Sequence, residues 1–178
     1  MSLSACAITS GLALDCRDSQ GGIEYVYIAN ADGVVSWTLT TGSECEIDSI
    51  SLDGTPLTSG DFYRFQVPKQ TSSYTETVNA STENGTVFYQ QDVALVFNKL
   101  QCATRDQMLL LAQNTKLLVI VKDGNGSFWT AGLSRGAEMT AGDAQTGTAY
   151  GDRNGYTLTL TGLEPDPMFA VDPTVVGE

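Results

Sequence analysis

The sequence predicts a mainly β protein, a β-sandwich or rolled β-barrel with one short α-helix and a long β-hairpin. The composition is rich in Gly, Thr and Ser, with 18 Gly but only 5 Pro in 178 residues, which favours strands joined by tight turns. Several segments alternate apolar and polar residues at the strand period of two. One segment, residues 104–113, has helical spacing. The length predicts a single domain over residues 1–178.

The first half of the chain reads as a series of strands between turn-forming residues. Residues 5–8 and 12–14 are candidate short strands joined at Gly11. Clearer strands are predicted where apolar or aromatic residues stand between Gly, Asn, Asp and Pro: residues 23–28, 34–39, 47–52 and 62–67. Trp37 is the expected core anchor of its strand. Pro68 then predicts a bend or a sheet edge, because proline cannot donate to a strand ladder.

Residues 70–98 predict the long hairpin, with its turn at Glu83, Asn84 and Gly85. In the first arm, the period of two puts small polar side chains on one face: Thr71, Ser73, Thr75, Thr77, Asn79 and Ser81. The opposite face carries Tyr74, Val78 and Ala80, with Glu76 among them. In the second arm, Gln91 interrupts an apolar face that runs from Val87 to Phe97, and Gln90 and Asp92 belong to a mixed face.

A polar face of this length is compatible with two interpretations. It contributes little burial to a monomer, so it suits a hairpin that pairs with other copies of the chain and lines water. It also suits an ordinary hairpin with one solvated face. The residues alone leave both open.

The second half predicts the helix and three further strands. Thr104 can cap the helix with Gln107 three residues on, and Met108, Leu109, Leu111 and Ala112 form its apolar face, with Asn114 as the stop. Residues 117–122 predict a central strand, and residues 123–126 a hairpin turn to the strand 127–130. Residues 132–151 predict a Gly-rich loop or a strand with a long insertion. Residues 156–162 alternate as a strand, and the Pro-containing tail after Glu164 is expected along a surface.

The charge and residue types exclude several functions. The formal net charge is -12, and the nine basic residues are scattered, which argues against a dedicated nucleic-acid-binding surface. There is no histidine, which removes the commonest general base and most zinc sites. Without a phosphate loop, a nucleophile motif or a metal cluster, we expect no enzyme activity and no cofactor.

The cysteines and the apolar runs predict a soluble protein that is made in a reducing cytoplasm and keeps its thiols free. Cys6, Cys16, Cys45 and Cys102 form no CxxC pair, so a metal knuckle is not expected. Spacing leaves open whether Cys6 and Cys16 are bonded. The apolar runs 108–112 and 117–121 are too short to span a membrane.

The order of these elements resembles structural proteins of tailed bacteriophages and prophages and, in architecture, the tail tube family of long-tailed phages. The resemblance rests on five features: residues 82–86 (TENGT), the helix 104–113, residues 121–126 (VKDGNG), residues 155–164, and Cys6 and Cys16 followed by residues 21–23. They span most of the chain, but none is a catalytic motif.

The resemblance implies a virion structural protein that assembles into hexameric rings stacked as a tail tube. Its implied partners are further copies of itself and other tail proteins, with DNA passing unbound, no membrane, and the virion tail as its location after synthesis in the host cytoplasm. Combined with the sorting of faces above, it implies that six residues line the channel or join subunits: Thr71, Ser73, Thr75, Thr77, Gln90 and Asp92.

Three alternatives remain. The chain could serve as another virion part, such as a head decoration or tail-completion protein. It could be a β-sandwich carbohydrate-binding module that stacks sugars on Trp37 or Trp129. A small enzyme that uses Asp and Glu is the third alternative.

Overall fold

A computed structural model describes residues 11–13, 17–33 and 35–178 of the chain. These residues contain one α-helix, α1 (Cys102–Gln113), two short 3-10 helices (Ser59–Asp61 and Pro173–Val175) and twelve strands. The strands are β1 (Ile23–Asn30), β2 (Val35–Leu39), β3 (Glu46–Leu52), β4 (Thr55–Pro56), β5 (Tyr63–Gln66), β6 (Ser73–Ser81), β7 (Thr86–Asn98), β8 (Leu117–Asp123), β9 (Phe128–Ala131), β10 (Ala137–Gln145), β11 (Gly155–Glu164) and β12 (Ala170–Val171). All twelve belong to one hydrogen-bonded, mixed sheet system. The predicted mainly β fold with a single helix is therefore confirmed for this part of the chain.

Strand β8 is central, as its continuous apolar run predicts. It pairs antiparallel with β1 on one side and with β9 on the other. Because successive side chains of a strand point to opposite faces, β8 supplies two hydrophobic cores. Leu117, Val119 and Val121 enter the first core, and Leu118 and Ile120 enter the second.

The first core holds β1 and β8 against a layer made by β7 and β11. Val93 and Leu95 of β7 and Leu158 of β11 are buried in it, and α1 adds Met108 and Leu111. Burying a side chain of this size stabilises the fold by roughly 1.5–3 kcal/mol. This core therefore fixes the hairpin and β11 to the rest of the molecule.

The second core lies on the other face of β1 and β8, and the tail after Glu164 completes it. The expectation that this tail lies along a surface is wrong. β12 pairs with both β3 and β9, and Val171, Val175 and Val176 are buried. These three valines give the segment enough apolar surface to enter the core despite its prolines.

The helix is longer than predicted and is capped differently. It begins at Cys102, its N-cap is Gln101 rather than Thr104, and Asn114 ends it as predicted. The side chain of Gln101 donates to the Thr104 hydroxyl at 3.1 Å. Its buried face is narrower than predicted, because Leu109 is exposed while Met108 and Leu111 are buried.

The predicted long hairpin is confirmed, although its first strand begins at Ser73 and not at Gln70. β6 and β7 pair antiparallel from Ser73 opposite Ala94 to Ser81 opposite Thr86. Four residues, 82–85, form the loop, one more than the three predicted for the turn. Gly85 at its end has a φ of +62°, a conformation that glycine adopts without steric cost.

The segment predicted as a Gly-rich loop, residues 132–151, contains a strand of nine residues. This strand, β10, pairs antiparallel with β11 over its whole length. A bulge between Met139 and Ala141 shifts the register, so the side chains lose a constant period of two and the sequence hides the strand. Within that segment, the alternative of a strand is correct for β10, and the prediction of a loop holds only for the residues that flank it.

Further predictions have mixed outcomes. β5, just before Pro68, pairs only with β1, so the predicted sheet edge is confirmed. Trp37 is half-buried and packs on Phe169, with ring centroids 6.1 Å apart. Leu12 and Ala13 form no strand. The predictions for residues 5–8 and for Cys6 and Cys16 lie outside the described residues.

Candidate functional site

Four neighbouring strands, in the order β10–β11–β7–β6, form an antiparallel sheet with two different faces. One face packs on the first core through alternate residues of β7 and β11. The other face consists of exposed and half-buried side chains, most of them polar. We call it the polar face.

Five of the six residues predicted for a channel wall share the polar face. Thr75 of β6 lies opposite Asp92 of β7, and Thr77 lies opposite Gln90. Ser73 belongs to the same row of β6 and is exposed, as are both threonines. The structure thus brings together the residues that the period of two predicts.

Thr71 is the sixth predicted residue and lies apart from the others. It precedes β6 and is exposed, and its hydroxyl donates to the carbonyl oxygen of Pro68 at 2.8 Å. It therefore closes the turn that leads into the hairpin and is not in a strand of the sheet.

A chain of hydrogen bonds crosses the polar face from β7 to β10. The Gln90 amide donates to Asp92 at 2.9 Å, and the Thr161 hydroxyl donates to the other oxygen of Asp92 at 2.6 Å. The hydroxyls of Thr161 and Thr140 are 2.9 Å apart. Asp92 thus accepts one hydrogen bond from its own strand and one from β11, and Thr161 connects it to β10.

The strand predicted over residues 156–162 contains Thr157, Thr159 and Thr161, but the sequence did not join these threonines to the hairpin. The pairing of β11 with β7 puts Thr159 opposite Ala94 and Thr161 opposite Asp92. The strict alternation of residues 156–162 is the signal that could have found them. Glu138 and Asp143 of β10 also belong to this face, opposite Thr161 and Thr157, and the bulge in β10 concealed them.

Both lateral edges of the four-stranded sheet are free among the described residues. The path of paired strands ends at β6. β10 contacts β8 through a single residue pair, Ala137 with Leu117, which leaves residues 138–145 paired on one side only. Unpaired strand edges are templates for pairing with another chain.

The end of the hairpin extends beyond this sheet. The pairing of β11 with β7 stops at Tyr89, so residues 78–88, here called the distal arm, have strand partners only within the hairpin among the described residues. Val78, Val87 and Phe88 in the arm are 58%, 56% and 41% exposed. A lone two-stranded hairpin is marginally stable in water, and this one presents apolar side chains to it.

The base of the hairpin is held by a buried polar cluster. Gln91 lies opposite Glu76 on the core-facing side and donates to it at 3.1 Å. Gln91 also accepts the Gly132 N–H at 3.1 Å, and Glu76 accepts the Met168 N–H at 2.7 Å. The Tyr74 hydroxyl donates to the Thr130 carbonyl. The two polar residues that interrupt the apolar faces in the sequence therefore bind each other and two other segments.

Glu164 completes this cluster at the end of β11. It is buried and accepts the N–H groups of Ser134 and Arg135 at 3.1 and 2.9 Å. Burial raises the pKa of Glu164, although the two N–H donors oppose that shift. Burial also raises the pKa of Tyr74, with the charges of Glu76 and Glu164 adding to the effect. The cluster holds the loops at residues 134, 135 and 168 in place, because the two carboxylates accept hydrogen bonds from the backbone N–H groups of these residues.

A second polar cluster centres on Glu178 and was missed from the sequence. Glu178 accepts hydrogen bonds from Tyr27 and Lys122, and Arg64 lies 3.6 Å from it. The Lys122 bond is the main cause that lowers the pKa of Glu178. Burial, followed by the bond to Glu178, raises the pKa of Tyr27 to about 12. The cluster depends on the register of β1 and β8, which no local motif encodes.

Neither cluster is placed to hold a metal ion. No group of three or more Cys, Asp or Glu side chains among the described residues is placed to hold a metal ion. The two tryptophans are engaged in packing: Trp37 contacts Phe169, and the Trp129 indole N–H donates to Asp123 at 3.3 Å. Across the described ranges, no helix is long and apolar enough to cross a membrane.

Comparisons with known proteins leave the four-stranded sheet as the main guide to function. No protein-family model matches the chain, and no curated protein matches its sequence.

Proposed function

We propose that the chain is a structural subunit that closes into a ring by pairing β6 of one copy with β10 of the next, and that stacked rings form a conduit for DNA of the tail tube kind. The observation that supports this proposal is the four-stranded sheet with a polar face and two free edges. Pairing removes both edges at once, and closure into a barrel abolishes exposed strand edges altogether.

The directions of the strands suit such a junction. β10, β11, β7 and β6 alternate in direction, so β6 and β10 run opposite to each other. When two copies meet edge to edge in the same orientation, β6 of one copy lies antiparallel to β10 of the next. Every junction then continues the antiparallel pattern already present within the subunit.

The size of the closed barrel suits a DNA channel. Six copies, the number implied by the resemblance, give a barrel of about 24 strands. With strands about 4.8 Å apart and tilted by about 40°, its backbone would be roughly 50 Å across. Inward side chains narrow this opening but leave it wide enough for a hydrated DNA duplex.

The polar face suits the wall of that channel. Its threonines and serine bind water, and its carboxylates, Asp92, Glu138 and Asp143, carry the sign of charge that DNA phosphates also carry. Tight phosphate binding requires clustered Lys and Arg. DNA can therefore slide along this face without being held.

The first experiment images the concentrated full chain by negative-stain electron microscopy and measures its mass by light scattering. Rings or tubes of constant diameter are expected. A monomer at every concentration contradicts the proposal, and single rings that never stack favour a tail-completion or similar virion part.

A second experiment locates the junction by disulfide cross-linking. All four native cysteines are changed to Ser, Thr77→Cys is introduced in β6, and Glu138, Thr140, Ala141 and Asp143 are changed to Cys one at a time. At least one pair should yield a covalent ladder of oligomers on a non-reducing gel. Thr38→Cys in β2 replaces Thr77→Cys as the control, and a ladder equally strong with it would refute the β6–β10 junction.

A further inference from the structure

A groove on the outer side of the first core shares two properties with the distal arm. It lies between α1 and the edge strand β5 and has a volume of about 260 Å³. Leu110 and Tyr63 line it and are 53% and 66% exposed. None of its nine lining residues is charged, and the distal arm holds a single charged residue, Glu83. Both surfaces are therefore nearly free of charge, and both expose apolar side chains.

The charge of the whole chain makes these two surfaces suited to each other. With a net charge of -12, two copies repel each other wherever their carboxylates approach. A contact between uncharged surfaces avoids that repulsion and removes exposed apolar area from water, at about 25 cal/mol per Å². The distal arm of a second copy therefore has the low charge and the exposed apolar side chains that suit this groove.

The proposed ring would bring the arm of one copy to the groove of the next. In an antiparallel junction, the end of β6 nearest the loop lies beside the start of β10 of the neighbouring copy. That start is Ala137, which pairs with Leu117, and Leu117 lines the groove. Val78 is on the core-facing side of β6, the side on which α1 packs, so it faces the groove and not the channel.

We propose that the distal arm of each subunit docks in the groove between α1 and β5 of its neighbour, with Val78 and Val87 against Leu110 and Tyr63. This inference rests on the proposed ring. The contact joins two different surfaces, so it propagates from copy to copy and closes only in a ring. The arm then adds a second intersubunit contact that stabilises the junction between β6 and β10.

The experiment co-expresses two single-cysteine variants of the cysteine-free full chain, V87C and L110C, with an affinity tag on one of them. A disulfide between them is intermolecular by construction. After mild oxidation, a non-reducing gel should shift the tagged chain to twice its monomer mass, while each variant expressed alone should give little of this band. L39C replaces L110C as the control, since Leu39 is also an exposed leucine and lies in β2.

The outcomes separate this inference from the proposed function. Rings without the V87C–L110C product, or with as much product from L39C, overturn the docking and leave the ring proposal standing. Absence of both rings and product overturns both. A further variant, L110E, tests the same contact without oxidation: it should fold with an unchanged circular dichroism spectrum and lose rings, and rings of normal yield from it would contradict the docking.

Discussion

The two ends of the hairpin have the same ladder of hydrogen bonds but very different surroundings. Val93 and Val87 lie in the same strand, β7, and their side chains point to the same face of it. Val93 is 0% exposed, whereas Val87 is 56% exposed. The difference arises because β1, β8 and α1 cover the base of the hairpin, while no described element covers the distal arm. A strand's local sequence therefore predicts its face, and a third element decides whether that face is buried.

The comparison also separates stability from assembly. The base of the hairpin is bound by the first core and by the cluster of Glu76 and Gln91, so its substitutions should destabilise the monomer. The distal arm makes few contacts within the monomer, so its substitutions should leave folding intact and weaken association. Each prediction below tests this division with a matched pair of variants or of conditions.

The largest effect is expected from Val93→Ala at the base. It should lower the free energy of unfolding by about 2–3 kcal/mol, because it removes two buried methyl groups and leaves a cavity. For a chain of this length, that corresponds to a fall in Tm of roughly 5–10 °C. Thermal unfolding followed by circular dichroism measures it.

Val87→Ala in the arm is the matched control for Val93→Ala. The substitution is identical, but its effect on the unfolding of the monomer should stay within about 0.5 kcal/mol. Equal losses at both positions would mean that the arm is already buried against its own subunit, and the division between base and arm would fail.

The sequence predicts the faces of the hairpin well because the period of two is a local property. Ser73, Thr75 and Thr77 fall on the polar face as predicted, and the threonines of β11 continue that face. The central position of β8 is also local information, because an unbroken apolar run suits a strand that is covered on both sides.

The strand partners other than those within the two predicted hairpins are not local information and were not predicted. The bulge at Met139 disrupts the alternation of β10, so the sequence indicates a loop there. The burial of Val171 depends on the position of β12 between β3 and β9, which only the assembled sheet reveals. Likewise, Glu76 and Gln91 read as interruptions until the register places them opposite each other.

A smaller effect is expected when the polar cluster at the base is broken. Gln91→Leu keeps the side-chain volume similar but leaves the Gly132 N–H without its acceptor and removes a donor from Glu76. Unpaired buried polar groups of this kind should lower the free energy of unfolding by about 1–2 kcal/mol. Urea denaturation at neutral pH measures the loss.

Gln90→Leu is the control for Gln91→Leu, one position away in the same strand. Gln90 is on the polar face, where water can replace its bond to Asp92, so its loss should cost no more than about 0.5 kcal/mol. If both variants lose the same stability, the buried network contributes nothing beyond an exposed hydrogen bond.

The smallest effect is expected from Glu164, where β11 ends beside the start of the distal arm. Its pKa is raised above the ordinary value of 4.5, mainly by burial. Between those two pKa values the native state binds more protons than the unfolded state, so this residue favours folding increasingly as the pH falls from 7 towards 4.5. Glu164→Gln removes that contribution.

The stability of the wild type relative to Glu164→Gln should therefore rise as the pH falls, measured by urea denaturation at several pH values. The carboxylates with lowered pKa, such as Asp172 and Glu178, are present in both proteins, and their opposite trend cancels in the difference. A difference that stays constant or shrinks on acidification would show that the two N–H donors of residues 134 and 135, and not burial, govern this carboxylate, and the base of the hairpin would then tolerate charge as the exposed arm does.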